Sequence, residues 1–173
     1  MKNNQNKKLN PYSVDKLAMV PQPVKAIFIK WWFAGAVFFF VGMGIPALHK
    51  ADNLDLIAAL GIVLGMVNDL LVNNIFRYMR TDHNDYDKWM VFPKRSLISF
   101  FLNIVYYLIV SFVVYAMYSS INMFAVNVGL KADGELLLAV EPVGYGIFVL
   151  IVDLIVLFIK YIFGKLFLKG KKG

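Results

Sequence analysis

Four long apolar segments constrain the fold of this chain more than any other feature. They cover residues 27–48, 54–76, 97–118 and 143–163, and each holds about 20 or more mainly apolar residues. A helix of that length, rising 1.5 Å per residue, crosses the roughly 30 Å hydrocarbon layer of a bilayer. The sequence therefore predicts an all-α integral membrane protein, with a bundle of four transmembrane helices.

Composition supports this class and argues against several functions. Hydrophobic residues make up 60% of the 173 residues and charged residues only 17%, whereas soluble domains are nearer half apolar and a quarter charged. Cysteine is absent, which excludes disulfides and thiolate nucleophiles. Two histidines and no nucleophile motif leave little for catalysis, so we expect no enzymatic activity, no cofactor and no metal site.

The Lys and Arg residues predict the orientation in the membrane. Sixteen of the 18 lie in the N-terminal segment, the loop between spans two and three, or the C-terminal end; only Lys50 and Lys131 fall on the other side. This is the positive-inside pattern, which places both termini in the cytoplasm and predicts a multi-pass protein of the plasma membrane. Lys25, Lys30 and the adjacent tryptophans are interpreted as an interface belt. Most of the Lys and Arg residues behind the net charge of +7 then lie at the cytoplasmic face, where they meet anionic lipids, and nucleic acid is not expected as a partner.

The rest of the chain divides around the four spans. Residues 1–26 are predicted to be a basic cytoplasmic tail, with either an interfacial helix or a flexible segment within it, and residues 164–173 a second basic tail. Residues 27–163 form the transmembrane domain. Between spans three and four, an Asp-Gly pair separates two apolar runs, which favours a small extracytoplasmic β-hairpin or flap in residues 119–141. An acidic cluster with one histidine in the middle loop lacks the spacing of a calcium loop and is interpreted as a solvated turn.

Polar residues inside the spans form the candidate functional site. Gly61, Gly65, Asp69, Asn73 and Arg77 recur every four residues and therefore share one face of span two. Asp69, Asn103 and Asp153 come from three different spans. Counted from the nearest cytoplasmic cation in each case, all three lie at one depth, roughly 10–12 Å inside the cytoplasmic boundary of the membrane. The candidate intramembrane polar site consists of these three and two neighbouring amides: Asp69, Asn103, Asp153, Asn68 and Asn73.

Two interpretations of this site remain open. In the first, a protonated Asp and an Asn form an interhelical clasp, a type of bond that contributes about 0.6 kcal/mol on average. In the second, the carboxylates bind a proton or cation in a cavity open to the cytoplasm, because ionisable groups inside a membrane usually mark such sites. Since like charges in a low-dielectric layer repel, at least one of Asp69 and Asp153 is expected to hold a proton.

Two further patterns predict how the helices pack. Glycine lets membrane helices approach closely, and the helix-packing candidates are Gly35, Gly42, Gly61 and Gly65. Span three carries a polar stripe with a spacing of four residues, formed by Ser99, Asn103, Tyr107, Ser111 and Tyr115.

One family offers a partial resemblance. The four-helix plan with both ends inside, the NDLLVN segment at 68–73 and the WMVF segment at 89–92 resemble the GtrA-like membrane proteins, a family associated with the translocation of polyprenyl-linked sugars. Here 15 residues separate the two segments, whereas the family motif is nearly contiguous, and the fourth helix has no matching Asn. No family is therefore assigned.

The leading functional hypothesis is a non-enzymatic accessory or structural subunit that acts through helix–helix association, with other membrane subunits or a second copy as partner. The alternative is a small proton- or cation-coupled carrier, or a flippase for a lipid-linked substrate, which uses Asp69 and Asp153.

Overall fold

Four helices form the protein in the computed structural model, which describes residues 20–48, 53–79, 86–93, 96–133 and 140–169, with side chains up to residue 165. The helices are α1 (Gln22–Met43), α2 (Asn53–Tyr78), α3 (Leu97–Asn127) and α4 (Glu141–Lys169). All four are long and apolar enough to cross a membrane, and no strand occurs in the described ranges. The predicted all-helical fold, with four helices able to span a membrane, is confirmed at this level.

Local sequence accounts for where the helices begin and end. Pro23 lies in the first turn of α1, where a missing N–H costs nothing. At the start of α3, Ser96 and Ser99 form a reciprocal capping box: the Ser99 N–H donates to Ser96 Oγ at 3.1 Å, and the Ser96 N–H donates to Ser99 Oγ at 2.8 Å. α3 ends where Gly129 adopts a φ of 74°, a left-handed conformation that favours glycine.

The predicted hairpin between spans three and four is not found where the structure describes the chain. α3 continues to Asn127 instead of ending at residue 118, so residues 119–127 are helical and do not form the first strand. A continued helix satisfies its own backbone hydrogen bonds, whereas an isolated strand would leave them unpaired. The second half of the expected hairpin, residues 134–139, lies outside the described residues, as do residues 1–19 of the N-terminal tail, residues 170–173 of the C-terminal tail and most of the acidic cluster in the middle loop. Residues 164–169 of the predicted C-terminal tail continue the last helix.

Two antiparallel helix pairs build the bundle, and each meets at glycine. α2 packs against α3, and a Cβ added at Gly61 or Gly65 would lie 2.7 Å from Leu108 Cα or 2.6 Å from Ile104 Cα. α1 packs against α4, and a Cβ at Gly35 would lie 2.9 Å from the Pro142 carbonyl oxygen. Because these are backbone atoms, a larger residue would push the helices apart.

α2 contains a wider π-helical turn at Asn68–Val72, in which the Asn73 N–H donates to the Asn68 carbonyl, five residues earlier. Such turns insert an extra residue and are frequent at functional sites. Two successive side chains at the start of this wider turn, Asn68 and Asp69, are both buried, at 4% and 2% exposure. α1 ends in a similar wide turn at Phe38–Met43.

The apolar core is divided into two clusters. The smaller includes Ala26, Val72 and Phe76 and is closed by Tyr86 and Met90 of the α2–α3 loop. We call this the loop end of the bundle. The larger cluster lies toward the opposite end and includes Phe38, Leu60, Val110 and Tyr145.

A candidate functional site across all four helices

A connected layer of polar side chains joins the four helices. Each of six side chains is at most 7% exposed, and every helix contributes at least one: Lys30 from α1, Asn68 and Asp69 from α2, Asn103 and Tyr107 from α3, and Asp153 from α4. Burial of polar groups is costly unless they are hydrogen-bonded, so the contacts within this layer decide its energetics.

Asp153 is the most strongly bonded member of the layer. Its Oδ2 forms an ion pair with Lys30 Nζ. Its Oδ1 accepts a hydrogen bond from the Tyr106 hydroxyl at 2.9 Å and lies 3.4 Å from the Tyr107 hydroxyl. The carboxylate therefore has a compensating cation on one oxygen and the Tyr106 hydroxyl as a donor on the other, the arrangement that a buried charge requires.

Asp69 stands at the end of a directed chain of hydrogen bonds. The Tyr107 hydroxyl donates to Asn68 Oδ1 at 3.0 Å, and Asn68 Nδ2 donates to Asn103 Oδ1 at 3.4 Å. Asn103 Nδ2 then donates to Asp69 Oδ1 at 2.8 Å. All three bonds point toward Asp69, so their dipoles reinforce one another and favour its carboxylate as an acceptor. No Lys, Arg or His lies within ion-pair distance of Asp69 in the described part of the chain.

The prediction that Lys30 belongs to an interface belt is wrong, because this residue is 7% exposed and pairs with Asp153. A sequence signal for its burial exists, since Lys30 lies four residues from both Ala26 and Ala34, and all three are on the buried face of α1. The expectation that at least one of Asp69 and Asp153 holds a proton did not take this lysine into account, which is a counter-charge for one of the two carboxylates.

The five predicted site residues are not all brought together. Asp69, Asn103, Asp153 and Asn68 belong to the layer. Asn73 is also buried, at 1% exposure, but its Nδ2 has no hydrogen-bond partner among the described residues, and it stands outside the network.

The packing and stripe residues lie in several environments. Gly35, Gly61 and Gly65 are at helix crossings, whereas Gly42 faces the Phe38 ring of its own helix. In the stripe of α3, Ser99 caps its own helix, Asn103 and Tyr107 join the polar layer, and Ser111 and Tyr115 line a cavity nearer the opposite end. Arg77 is exposed. The stripe is therefore the buried face of α3 and serves more than one site.

The polar layer is closed on the side of the loop. The Phe92 carbonyl accepts a 3.4 Å hydrogen bond from Asn103 Nδ2, and Lys160 Nζ fixes the loop by donating to the Met90 and Val91 carbonyls at 3.0 and 2.9 Å. The cavity beside the Lys30–Asp153 pair measures about 10 Å³, which is room for about one water molecule. The open cavity that the carrier hypothesis expects is not present at this pair. No group of three His, Cys, Asp or Glu side chains able to hold a metal occurs within the described ranges.

Comparison of the chain with protein-family models, with curated proteins and with solved structures finds no match in any of the three. The class of protein is therefore defined by the structure alone: in the described residues, a bundle of four helices, each long and apolar enough to span a membrane, with a buried polar layer.

Proposed function

We propose that the protein is a non-enzymatic structural or accessory subunit of a membrane complex, and that it acts through helix–helix association. The closure of the polar layer is the observation that carries this proposal. Its side chains bond to one another across all four helices, and the adjoining cavity of about 10 Å³ does not admit a substrate. Such a layer fixes the relative positions of the helices, and so preserves the shape of the outward surface.

A groove between α1 and α4 is the proposed docking face. It has a volume of about 290 Å³ and is lined by Gly35, Ala36, Pro142 and Val143, with aromatic side chains along its edges. Two of these aromatics project outward, since Trp32 is 58% exposed and Phe40 is 69% exposed. The Trp31 indole N–H already has a hydrogen-bond partner within the protein, because Nε1 donates to the Val143 carbonyl at 3.3 Å. Small residues flanked by large ones favour close approach of an apolar helix from a partner subunit.

The test of this function fills the groove and follows the size of the complex. In native membranes, the wild-type chain is expected to migrate on native gels in a complex larger than one chain. Ala36→Phe should release it, because the added ring occupies the groove. Ala116→Phe is the matched control, since Ala116 is exposed on α3 and outside the groove. Wild-type protein that migrates as a single chain would contradict the proposal, and a complex of two copies alone would favour the carrier alternative.

The orientation is part of the same proposal. The 16-to-2 distribution of Lys and Arg supports a plasma-membrane protein with both termini and the middle loop in the cytoplasm. Because the chain has no cysteine, single-cysteine variants can be labelled without background. Asn84→Cys should react only with a reagent on the cytoplasmic side, and Asp133→Cys only with one outside. Labelling of both from the same side would rule out this orientation.

A carrier or flippase that uses Asp69 and Asp153 is the second candidate. The observation in its favour is the Lys30–Asp153 ion pair, since paired ionisable groups inside a membrane often belong to proton or ion pathways. This function requires the loop of residues 86–93 to move, because that loop now closes the layer. Proteoliposomes with an imposed pH gradient test it. Proton flux that is raised in Lys160→Gln, which frees the loop from α4, and lost in Asp69→Asn would support transport, and the absence of flux in the wild type would remove this candidate.

A further inference from the structure

A second cavity, separate from the polar layer and from the groove, lies inside the bundle toward the opposite end. Its volume is about 90 Å³, and residues from all four helices line it. Protein interiors rarely contain voids much larger than a water molecule, because each empty volume costs packing energy. With about 10–15 Å³ needed for one water, this cavity has room for several waters or one small organic molecule.

Aromatic rings from three helices form much of the wall. Phe38 of α1 stacks on Tyr145 of α4 with ring centroids 4.7 Å apart, and it meets Tyr118 of α3 at 5.9 Å. Tyr115 of α3 is the fourth aromatic residue of the lining. The face of an aromatic ring is the negative part of its quadrupole, so a wall of several rings attracts a cation and repels an anion.

Polar groups contribute little to the lining. Ser111 Oγ and the Tyr145 hydroxyl lie 3.5 Å apart and can bond to each other. The Glu141 carboxylate is outside the lining and forms an ion pair with Lys131 at 2.7 Å. The cavity therefore has few free oxygen atoms to replace the water shell of an inorganic ion, and the aromatic rings carry the recognition of a ligand.

We propose that this cavity binds a small alkylammonium cation, recognised by the rings of Phe38, Tyr115, Tyr118 and Tyr145. A methylated amine suits the lining because its charge is spread over apolar methyl groups, which need no hydrogen-bond acceptors and pack against ring faces. The ligand contacts no residue of the groove and none of the polar layer. The proposal therefore does not depend on the docking function proposed above.

Thermal unfolding of the purified full-length protein in detergent tests the proposal with tetramethylammonium as the probe. The chloride salt should raise Tm by at least about 2 °C, saturably and at constant ionic strength. tert-Butanol has the same number of non-hydrogen atoms and no charge, and it should give no such rise. An equal rise with tert-butanol would mean that the cavity is merely apolar, and no saturable rise with tetramethylammonium would refute the site.

Variants locate the binding. Tyr145→Leu removes a ring at the centre of the wall and should weaken binding about tenfold or more, whereas Tyr145→Phe keeps the ring and should bind within about threefold of the wild type. Tyr161→Leu is the control, because Tyr161 is 60% exposed and outside the cavity. If Tyr145→Leu does not fold, Leu60→Phe fills the cavity from α2 and should abolish the rise in Tm. A rise that survives either change places the ligand elsewhere and overturns the proposal.

Discussion

Asp69 and Asp153 have similar positions in the sequence and very different surroundings in the structure. Each begins a similar segment, DLLVNNI or DLIVLFI, inside a long apolar helix. Both are almost fully buried, at 2% and 1% exposure. Asp153, however, forms an ion pair with Lys30 and accepts a hydrogen bond from the Tyr106 hydroxyl, whereas Asp69, among the described residues, accepts from the Asn103 amide at the end of a hydrogen-bonded chain.

The difference shows that the partners of a buried carboxylate depend on which side chains the neighbouring helix places beside it. α1 supplies Lys30 to Asp153, and Gly146 permits the approach, since a Cβ there would lie 2.8 Å from the Trp31 carbonyl. α3 supplies Asn103 to Asp69, and Gly65 permits that approach. Removing one partner of a buried ion pair leaves an uncompensated charge. Replacing the Asp69 carboxylate at the end of the hydrogen-bonded chain by an amide leaves no such charge among the described residues.

The largest effect is expected for Asp153→Asn, because the change leaves the Lys30 ammonium buried without a counter-charge. We expect a loss of about 3–5 kcal/mol in the free energy of unfolding, measured in detergent or bicelles. The double variant Lys30→Gln/Asp153→Asn should recover most of it, since neither side chain is then charged. Asp133→Asn, at an exposed position, should lie within about 0.5 kcal/mol of the wild type. A fully stable Asp153→Asn protein would show that the ion pair is not needed, and would remove the contrast with Asp69.

Substitutions of glycine test whether each acid depends on its own helix crossing. Gly65→Leu and Gly146→Leu should each cost about 1–3 kcal/mol, because the new side chains meet the backbone of a neighbouring helix. Gly144→Leu is the control on α4, since a Cβ there meets nothing within 4 Å. Thermal unfolding of the three variants in parallel is the measurement. If Gly144→Leu is as damaging as Gly146→Leu, close approach is not what the glycine provides.

A smaller effect is expected for Tyr106→Phe, which removes the 2.9 Å hydrogen bond to Asp153 and keeps the ion pair. Hydrogen bonds between membrane helices average about 0.6 kcal/mol and reach about 1.7 kcal/mol, and we expect a loss in that range. A double-mutant cycle with Asp153→Asn measures the coupling between the two residues. A coupling energy of zero would mean that the tyrosine contributes only through packing.

The smallest effect is expected for Asp69→Asn. The new amide oxygen can still accept from Asn103 Nδ2, and no cation among the described residues is left behind, so the loss should be about 0.5 kcal/mol or less. Equilibrium unfolding of both Asp→Asn variants under the same conditions completes the comparison. An Asp69→Asn protein that is destabilised as strongly as Asp153→Asn would indicate that Asp69 carries a charge with a partner of its own.

Several parts of the molecule could be predicted from the sequence. The existence of four apolar helices follows from segment length and composition, because these alone decide whether a helix can cross a bilayer. The spacing of Gly61, Gly65 and Asp69 gave the buried face of α2, since residues four apart lie on one side of a helix. The end of α3 was misplaced, because an Asp-Gly signal reports a local turn and not how far the preceding helix continues.

The sequence by itself indicated that several polar side chains are buried inside the bundle, and only the tertiary structure showed that Lys30 is among them and how they are paired. Helical periodicity is a local property, so it indicated that Asp69, Asn103 and Asp153 are on inward faces. Pairing depends on which helices are neighbours, and Lys30 and Asp153 are 123 residues apart in the chain. The packing of α1 against α4 brings Lys30 next to Asp153, whereas Asp69 has the Asn103 amide as its partner. Two similar sequence positions therefore have physically different surroundings.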